Sequence, residues 1–259
     1  MARTTTSPDR PLPAPEAIEA VFFDLDDTLV DARGSWRDGF ADAITELHAR
    51  SPALQRLGSP TAIYDDWFRR YGEEAHRAAG FGEWQASFTV ESFERLVAEH
   101  LGPDPALAAR LVASYRAAAP ARLAIFPDAE PLLERLGARY PLGLISNGPS
   151  ELQRPKIEKF ALERHFEVVL VSGELGIRKP DPRIFAMALE ALGVSPAGCV
   201  FIGDNPTDDI AGARAFGLSA IWVNRGDWRA PDPGEADALP HAEVRELREI
   251  PALLGLEGG

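Results

Sequence analysis

Residues 20–28 read Ala20-Val21-Phe22-Phe23-Asp24-Leu25-Asp26-Asp27-Thr28. An unbroken apolar run ends abruptly in acid. A short apolar run bounded by turn residues reads as a strand buried on both faces. Side chains in an extended segment repeat every two residues, so Asp24 and Asp26 point the same way.

The same pattern returns far down the chain. Cys199-Val200-Phe201-Ile202 leads into Gly203-Asp204-Asn205-Pro206-Thr207-Asp208-Asp209. Strands are also predicted over Leu142 to Ser146, Val168 to Val171 and Ser219 to Val223. Between them lie predicted helices over Ala129 to Ala138, Glu151 to Phe160, Asp181 to Leu192 and Thr207 to Phe216. Pro155 is expected to kink or delay the second of these. A short edge strand near Ala242 to Val244 and a last helix around Leu253 complete the pattern. Alternating strands and helices imply a parallel sheet covered on both faces. In such a sheet the strand C-termini share one edge, and ligands bind there. Asp24 and Asp204, 180 positions apart, therefore meet if their strands are neighbours.

Residues 35–121 follow another pattern, with no convincing buried strand. Helices are expected over Trp36 to Arg50, Thr61 to Ala79, Ser87 to His100 and Pro105 to Ala119, punctuated by Gly80-Phe81-Gly82 and Gly102-Pro103. The fold class is thus α/β, a Rossmann-like open parallel sheet over residues 16–32 and 123–259. An all-helical insert of residues 33–122 interrupts it after the first strand. Residues 1–15, rich in Thr, Pro and Arg, are expected to form a disordered tail.

Four polar clusters carry the chemistry: Asp24 to Thr28, Ser146-Asn147-Gly148, Arg178-Lys179-Pro180 and Gly203 to Asp209. A carboxylate can attack phosphorus and hold it as an acyl phosphate, which suits Asp24. Asp26 fits the general acid and base, a role worth typically ~10²–10⁴-fold in rate. Ser146 can donate a hydrogen bond to a phosphoryl oxygen, helped by loop amides near Asn147 and Gly148. Lys179 can supply fixed positive charge. Two like charges 4 Å apart repel by about 4 kcal/mol at an effective dielectric of 20. Asp24, Asp26, Asp204 and Asp209 beside a phosphate therefore call for a hard divalent cation, and Mg²⁺ suits such oxygen ligands.

In this order, with a helical insert after the first, the clusters resemble the haloacid-dehalogenase superfamily, in its phosphatase branch with a helical cap. The resemblance runs from Ala20 to about Asn224. It implies a nucleophile at Asp24, an acid/base at Asp26, and phosphate binding by Thr28, Ser146, Asn147 and Lys179. It implies Mg²⁺ held by the Asp24 carboxylate, the Asp26 backbone carbonyl and the Asp204 carboxylate. The active site is then expected between cap and core. The last acid occurs in the family at either of two spacings. Asp209-Ile210-Ala211-Gly212-Ala213 resembles the longer form, so Asp209 is preferred over Asp208 as the supporting acid. Nucleotidases and acylneuraminate or sugar phosphatases are the most similar in look. The expected substrate is a small phosphorylated metabolite, a nucleotide monophosphate or sugar phosphate.

Plainer readings compete. Asp26, Asp27 and Thr28 could form a turn and cap a helix. Ser146 and Asn147 could be loop formers, and Lys179 a solvated surface charge. Trp67 reads as core, Trp36, Phe81 and Trp84 stay open, and Arg33 reads as surface rather than substrate contact. Rival activities are a 2-haloacid dehalogenase, which lacks the second acid of the first motif and needs no metal, and a sugar-phosphate mutase. A non-catalytic binding protein on the same fold is the third rival.

Bulk composition excludes other classes. There are 27 Lys and Arg against 40 Asp and Glu, a formal net charge of -13. A nucleic-acid partner needs a basic face, so none is expected. Apolar runs fall far short of a membrane span. Cys199 is the single cysteine, which precludes an intrachain disulfide and, with no secretory-type apolar stretch near the start, points to the cytoplasm.

Overall fold

The computed structural model describes residues 11–69, 81–226 and 239–256, with backbone alone over 81–89. Most of the tail expected over 1–15 lies outside these residues. So do Gly80 and the stretch 70–79 of the predicted helix 61–79. The side chains of Phe81 and Trp84 lie outside them too. The described residues fall into two compact units, those of Met1–Val30 with Ile125–Gly259 and those of Asp31–Ala124.

Along the chain, a 3₁₀ turn at Pro15–Ala17 precedes strand β1, Ala20–Phe23. Pro15 is fastened rather than loose, since Tyr140 Oη donates to its carbonyl at 3.0 Å. Strand β2, Val30–Asp31, leads into helix α1, Ala32–Arg50. This helix begins four residues before the expected Trp36, because the Asp31 carboxylate accepts from Gly34 N at 2.8 Å and caps it there. Then come α2, Pro52–Gln55, α3, Pro60–Trp67, α4, Phe81–His100, and α5, Pro105–Arg122. The α4 helix starts earlier than the expected Ser87. Strand β3, Ala124–Ile125, pairs with β2 as a two-stranded ribbon.

The second half alternates as the sequence implies: α6, Ala129–Gly137; β4, Leu142–Ser146; α7, Ser150–Lys159; β5, Val168–Val171. Pro155 does not delay α7, which starts at Ser150 and carries the proline inside it. A short α8, Ser172–Leu175, precedes α9, Pro182–Leu192, and β6, Cys199–Gly203. The segment expected as one helix from Thr207 is two pieces, a wide π turn at Pro206–Ala211 and then α10, Gly212–Phe216. Strands β7, Ser219–Val223, and β8, Ala242–Val244, and helix α11, Ile250–Leu253, close the chain.

The main sheet has six strands in the order β5-β4-β1-β6-β7-β8, and every pairing is parallel. β1 is central, flanked by β4 and β6. Its residues Ala20 to Phe23 are all fully buried, as the unbroken apolar run requires. Phe22, Phe201, Ile145, Trp222 and Cys199 form one cluster with Ile184, Phe185, Ala188 and Leu189 of α9. Each fully buried Phe contributes about 1.5–3 kcal/mol relative to exposure.

The helical unit has its own core of Phe40, Ile44, Leu54, Ile63, Tyr64, Phe93, Leu96, Val97, Leu111 and Val112. Trp67 packs against it, stacked on Phe40 at 6.5 Å, and so does Trp36. Arg33 lies over the Phe68 ring at 4.9 Å. Among the described residues no helix is long and apolar enough to cross a membrane.

Candidate active site

Because β1 lies between β4 and β6, the polar residues that follow these three strands share one edge. Asp24 follows β1, and its N–H donates to Ile202 O of β6 at 2.9 Å. Asp204 follows β6, and its carbonyl accepts from Trp222 Nε1 at 2.6 Å. Asp209 lies on the π turn, where its Oδ2 accepts from Asn205 N at 3.0 Å. One carboxylate oxygen from each of Asp24, Asp204 and Asp209 falls within 4.8 Å of the others, and all three residues are buried. Gly203 makes this approach feasible: a Cβ there would sit 2.4 Å from Asp209 Oδ2.

Lys179 is 1% exposed. Its ammonium reaches Asp24 Oδ1 at 2.6 Å, Asp209 Oδ1 at 2.7 Å and the Ile145 carbonyl at 2.7 Å. The Asp24 and Ile145 contacts are hydrogen bonds, and the Asp209 contact is an ion pair. Burial pushes the Asp24 carboxyl up to about 8, with Lys179 opposing the rise and Asp209 adding to it. Burial likewise raises Asp209 against the pull of Lys179. For Lys179, burial lowers its pKa, but the two carboxylates outweigh it and hold the amine charged.

Asp24, Asp204, Asp209 and Lys179 together carry a formal charge of two negative. An all-oxygen, buried, doubly negative cluster is the donor set a hard divalent cation takes. Such an ion would act on Asp24 in the same sense as Lys179, favouring the ionised carboxylate.

The adjacent acids part company. Asp209 meets Lys179, whereas Asp208 Oδ2 accepts from Arg178 Nη2 at 2.9 Å and from Asn147 Nδ2 at 3.0 Å. Asn147 also donates through Nδ2 to Lys179 O at 3.0 Å and accepts through Oδ1 from Lys179 N at 2.9 Å. Its side chain therefore ties the end of β4 to the loop bearing Lys179. The Gly148 amide donates to Ser172 Oγ at 2.9 Å, so that amide is already engaged. Thr28 is fully buried. Its loop is wound tightly, with Leu29 and Val30 N–H both donating to Leu25 O and Asp27 at φ 59°. The Arg225 guanidinium donates to the Asp27 and Thr28 carbonyls at 3.4 Å and lies 3.6 Å from the Phe126 ring centroid.

Two side chains of α7 hold the Asp26 carboxylate. Lys156 Nζ donates to Asp26 Oδ1 at 2.7 Å and Oδ2 at 2.6 Å. Gln153 Nε2 donates to Asp26 Oδ2 at 2.9 Å and to Ser146 Oγ at 2.7 Å. Sequence patterns assigned no role to Gln153, Lys156 or Arg178. The available signal was the spacing of Gln153 and Lys156 three apart on one helix face, directly after Ser146-Asn147-Gly148.

The model of the haloacid dehalogenase-like hydrolase family matches residues 18–217. The chain is 35% identical over 253 residues to the phosphoserine phosphatase of Thermus thermophilus, covering 90% of this chain and 98% of that protein. It is 30% identical over 240 residues to the N-acylneuraminate-9-phosphatase of Homo sapiens, covering 92% and 94%. It is also 31% identical over 240 residues to the (S)-2-haloacid dehalogenase 4A of Burkholderia cepacia, covering 92% and 96%. With the acidic cluster on the shared strand edge and this match through about three-quarters of its length, the chain belongs to the haloacid dehalogenase-like hydrolases.

Proposed function

We propose that the protein is a phosphoric monoester hydrolase acting on small phosphorylated metabolites, with Asp24 as nucleophile. The observation that carries this reading is the buried meeting of Asp24 with Asp204, Asp209 and Lys179, with Asp26 held two residues beyond. In the first step an Asp24 oxygen bonds to phosphorus as the ester P–O bond breaks. The electron pair leaves with the ester oxygen, which takes a proton from Asp26. In the second, Asp26 takes a proton from water, the water oxygen bonds to phosphorus, and the Asp24–phosphorus bond breaks. Inorganic phosphate departs, and Asp24 and Asp26 return to their starting states.

Ser146 donates to a phosphoryl oxygen, and Thr28 and the Asn147 backbone border the same group. Lys179 balances charge that develops on the transferred phosphoryl. Asn147 and Arg178 hold the Lys179 loop in place, and Asp209 orients the ammonium. Asp24, Asp204 and the Asp26 carbonyl would hold Mg²⁺, which would supply Lewis-acid charge neutralisation there. Nucleotide monophosphates and sugar phosphates lead the candidate substrates, with phosphoserine added by the Thermus relative. The helical insert, residues 33–122, is assigned the part of a cap. A reducing, cytoplasmic setting suits the buried lone thiol of Cys199.

The Burkholderia relative favours a second reading, carbon–halogen hydrolysis. Asp26 argues against it, since a dehalogenase has no leaving alkoxide to protonate. Phosphate release from a metabolite panel, with chloride release from 2-chloropropionate run in parallel, separates the two. Phosphate release that stops in chelator and returns with Mg²⁺ is the expected result. Asp24→Asn should abolish turnover with the fold intact. Full activity in that variant, or in excess chelator, refutes the scheme.

A further inference from the structure

Two buried polar side chains near the site have no part in the scheme above. Gln153 is fully buried and Lys156 is 8% exposed. Both lie on α7, three residues apart, more than 120 positions from Asp26. Long polar side chains on a surface helix normally reach solvent, and these two turn inward to the same carboxylate.

The hydrogen bonds fix how they are oriented. Lys156 Nζ lies 2.7 Å from Gln153 Oε1. An ammonium only donates, so the amide oxygen must face Lys156. The Gln153 amide nitrogen then faces three acceptors: Asp26 Oδ2 at 2.9 Å, Ser146 Oγ at 2.7 Å and Asn147 O at 2.9 Å. The flipped amide would set oxygen against a carboxylate and a carbonyl, which is repulsive. The amide shares its two hydrogens among these three acceptors, and its nitrogen accepts nothing, so the Ser146 hydroxyl hydrogen is not spent on Gln153 and remains for another acceptor. Asp26 is held unequally: Oδ2 takes Lys156 and Gln153, while Oδ1 takes Lys156 alone. Oδ1 keeps a lone pair for a moving proton.

We propose that Gln153 and Lys156 are positioning residues, a clamp on α7 that locks the Asp26 carboxylate and the Ser146 hydroxyl into one rigid arrangement. This inference rests on the roles proposed above for Asp26 as acid and Ser146 as phosphoryl contact. A buried ion pair gains little stability over an apolar pair of the same volume. What the clamp supplies is geometry: it aims the proton donor of the leaving group and the proton of the phosphoryl contact together.

The test uses the full-length protein with Mg²⁺ and substituted phenyl phosphates from p-nitrophenyl to phenyl. These vary leaving-group acidity at nearly constant shape, and kcat/KM reports steps through ester cleavage. Lys156→Met and Gln153→Leu each keep volume and remove polar atoms; Lys156→Arg returns a cation; Asp26→Asn marks the loss of the acid. In both clamp variants the loss should grow with leaving-group pKa. It should be ~10-fold or more greater for phenyl than for p-nitrophenyl phosphate, in the same sense as Asp26→Asn. Lys156→Arg should recover part of it.

An even loss across the series, or one that Lys156→Arg leaves undiminished, overturns the clamp. A steeper series in Asp26→Asn but not in the clamp variants also overturns it, and leaves the acid role standing. An even loss in Asp26→Asn, or no phosphate release from any ester by the unaltered protein, removes the underlying reading and the clamp with it. Circular dichroism establishes folding of each variant, and Gln153→Leu carries the test alone if Lys156→Met does not fold.

Discussion

Lys179→Met removes the one ammonium that touches both Asp24 and Asp209. That ammonium makes three polar interactions, at 2.6, 2.7 and 2.7 Å. The side chains of Lys179 and Asp209 are each 1% exposed, and that of Asp24 is 10% exposed, so solvent screens little of the interaction. Two opposed effects decide the magnitude. Desolvating Lys179 has a cost that the variant no longer incurs, while two buried carboxylates are left without their counter-ion. Removing one partner of a buried pair costs about 3–5 kcal/mol, a large part of the roughly 5–15 kcal/mol that holds a domain folded.

Function should suffer separately. Lys179 is the main influence opposing the burial-driven rise of Asp24, so without it the nucleophile spends more time protonated. Losing a fixed donor to the transition state costs about 10²–10³-fold in kcat. The assay is urea unfolding followed by far-ultraviolet circular dichroism, with kcat measured on the same preparation. A midpoint shift equivalent to less than about 1 kcal/mol, the range of an exposed pair, would refute the buried network. So would a kcat reduced by less than about tenfold.

Two further outcomes follow from the same geometry. Asp209→Asn should lower kcat far more than Asp208→Asn, because Asp209 meets Lys179 while Asp208 meets Arg178 and Asn147; equal losses in steady-state assays would reverse the assignment. Burial pushes the Cys199 thiol up to about 12, so at about pH 8 a disulfide-exchange reagent should label it only after unfolding in urea. Since its folded value lies above that of an unfolded thiol, near about 8.5, its stabilising contribution is complete below about pH 8.5. That contribution is lost as pH rises toward 12. Rapid labelling of the native protein, or stability that grows over that pH range, would contradict the burial.

The strand ends were legible because a parallel strand covered on both faces must be apolar throughout, and it stops where polar residues begin. That rule alone located Asp24, Ser146 and Asp204. The short β2 and β3 were not legible, since two residues show no periodicity. The early start of α1 had a signal in Asp31 as a capping residue, which the polar turn around it obscured. The two pieces of the Pro206–Phe216 segment also escaped, because a π turn has no composition of its own; here it opens with Ile210 N donating to Asn205 O, while the Asn205 side chain caps it by accepting the Thr207 and Asp208 amides.

The amino-acid order by itself thus determined the fold class, the residue types at the sheet edge and the order in which they arrive. The resemblance already favoured Asp209 over Asp208; only the three-dimensional packing decided that Asp208 pairs instead with Arg178 and Asn147, and that α7 turns Gln153 and Lys156 inward onto Asp26. The physical reason is range. Strand burial and helix capping are set within a few residues. The partner of a buried charge is set by the distant element packed beside it, so a local pattern can single out the side chains but does not name the carboxylate they meet.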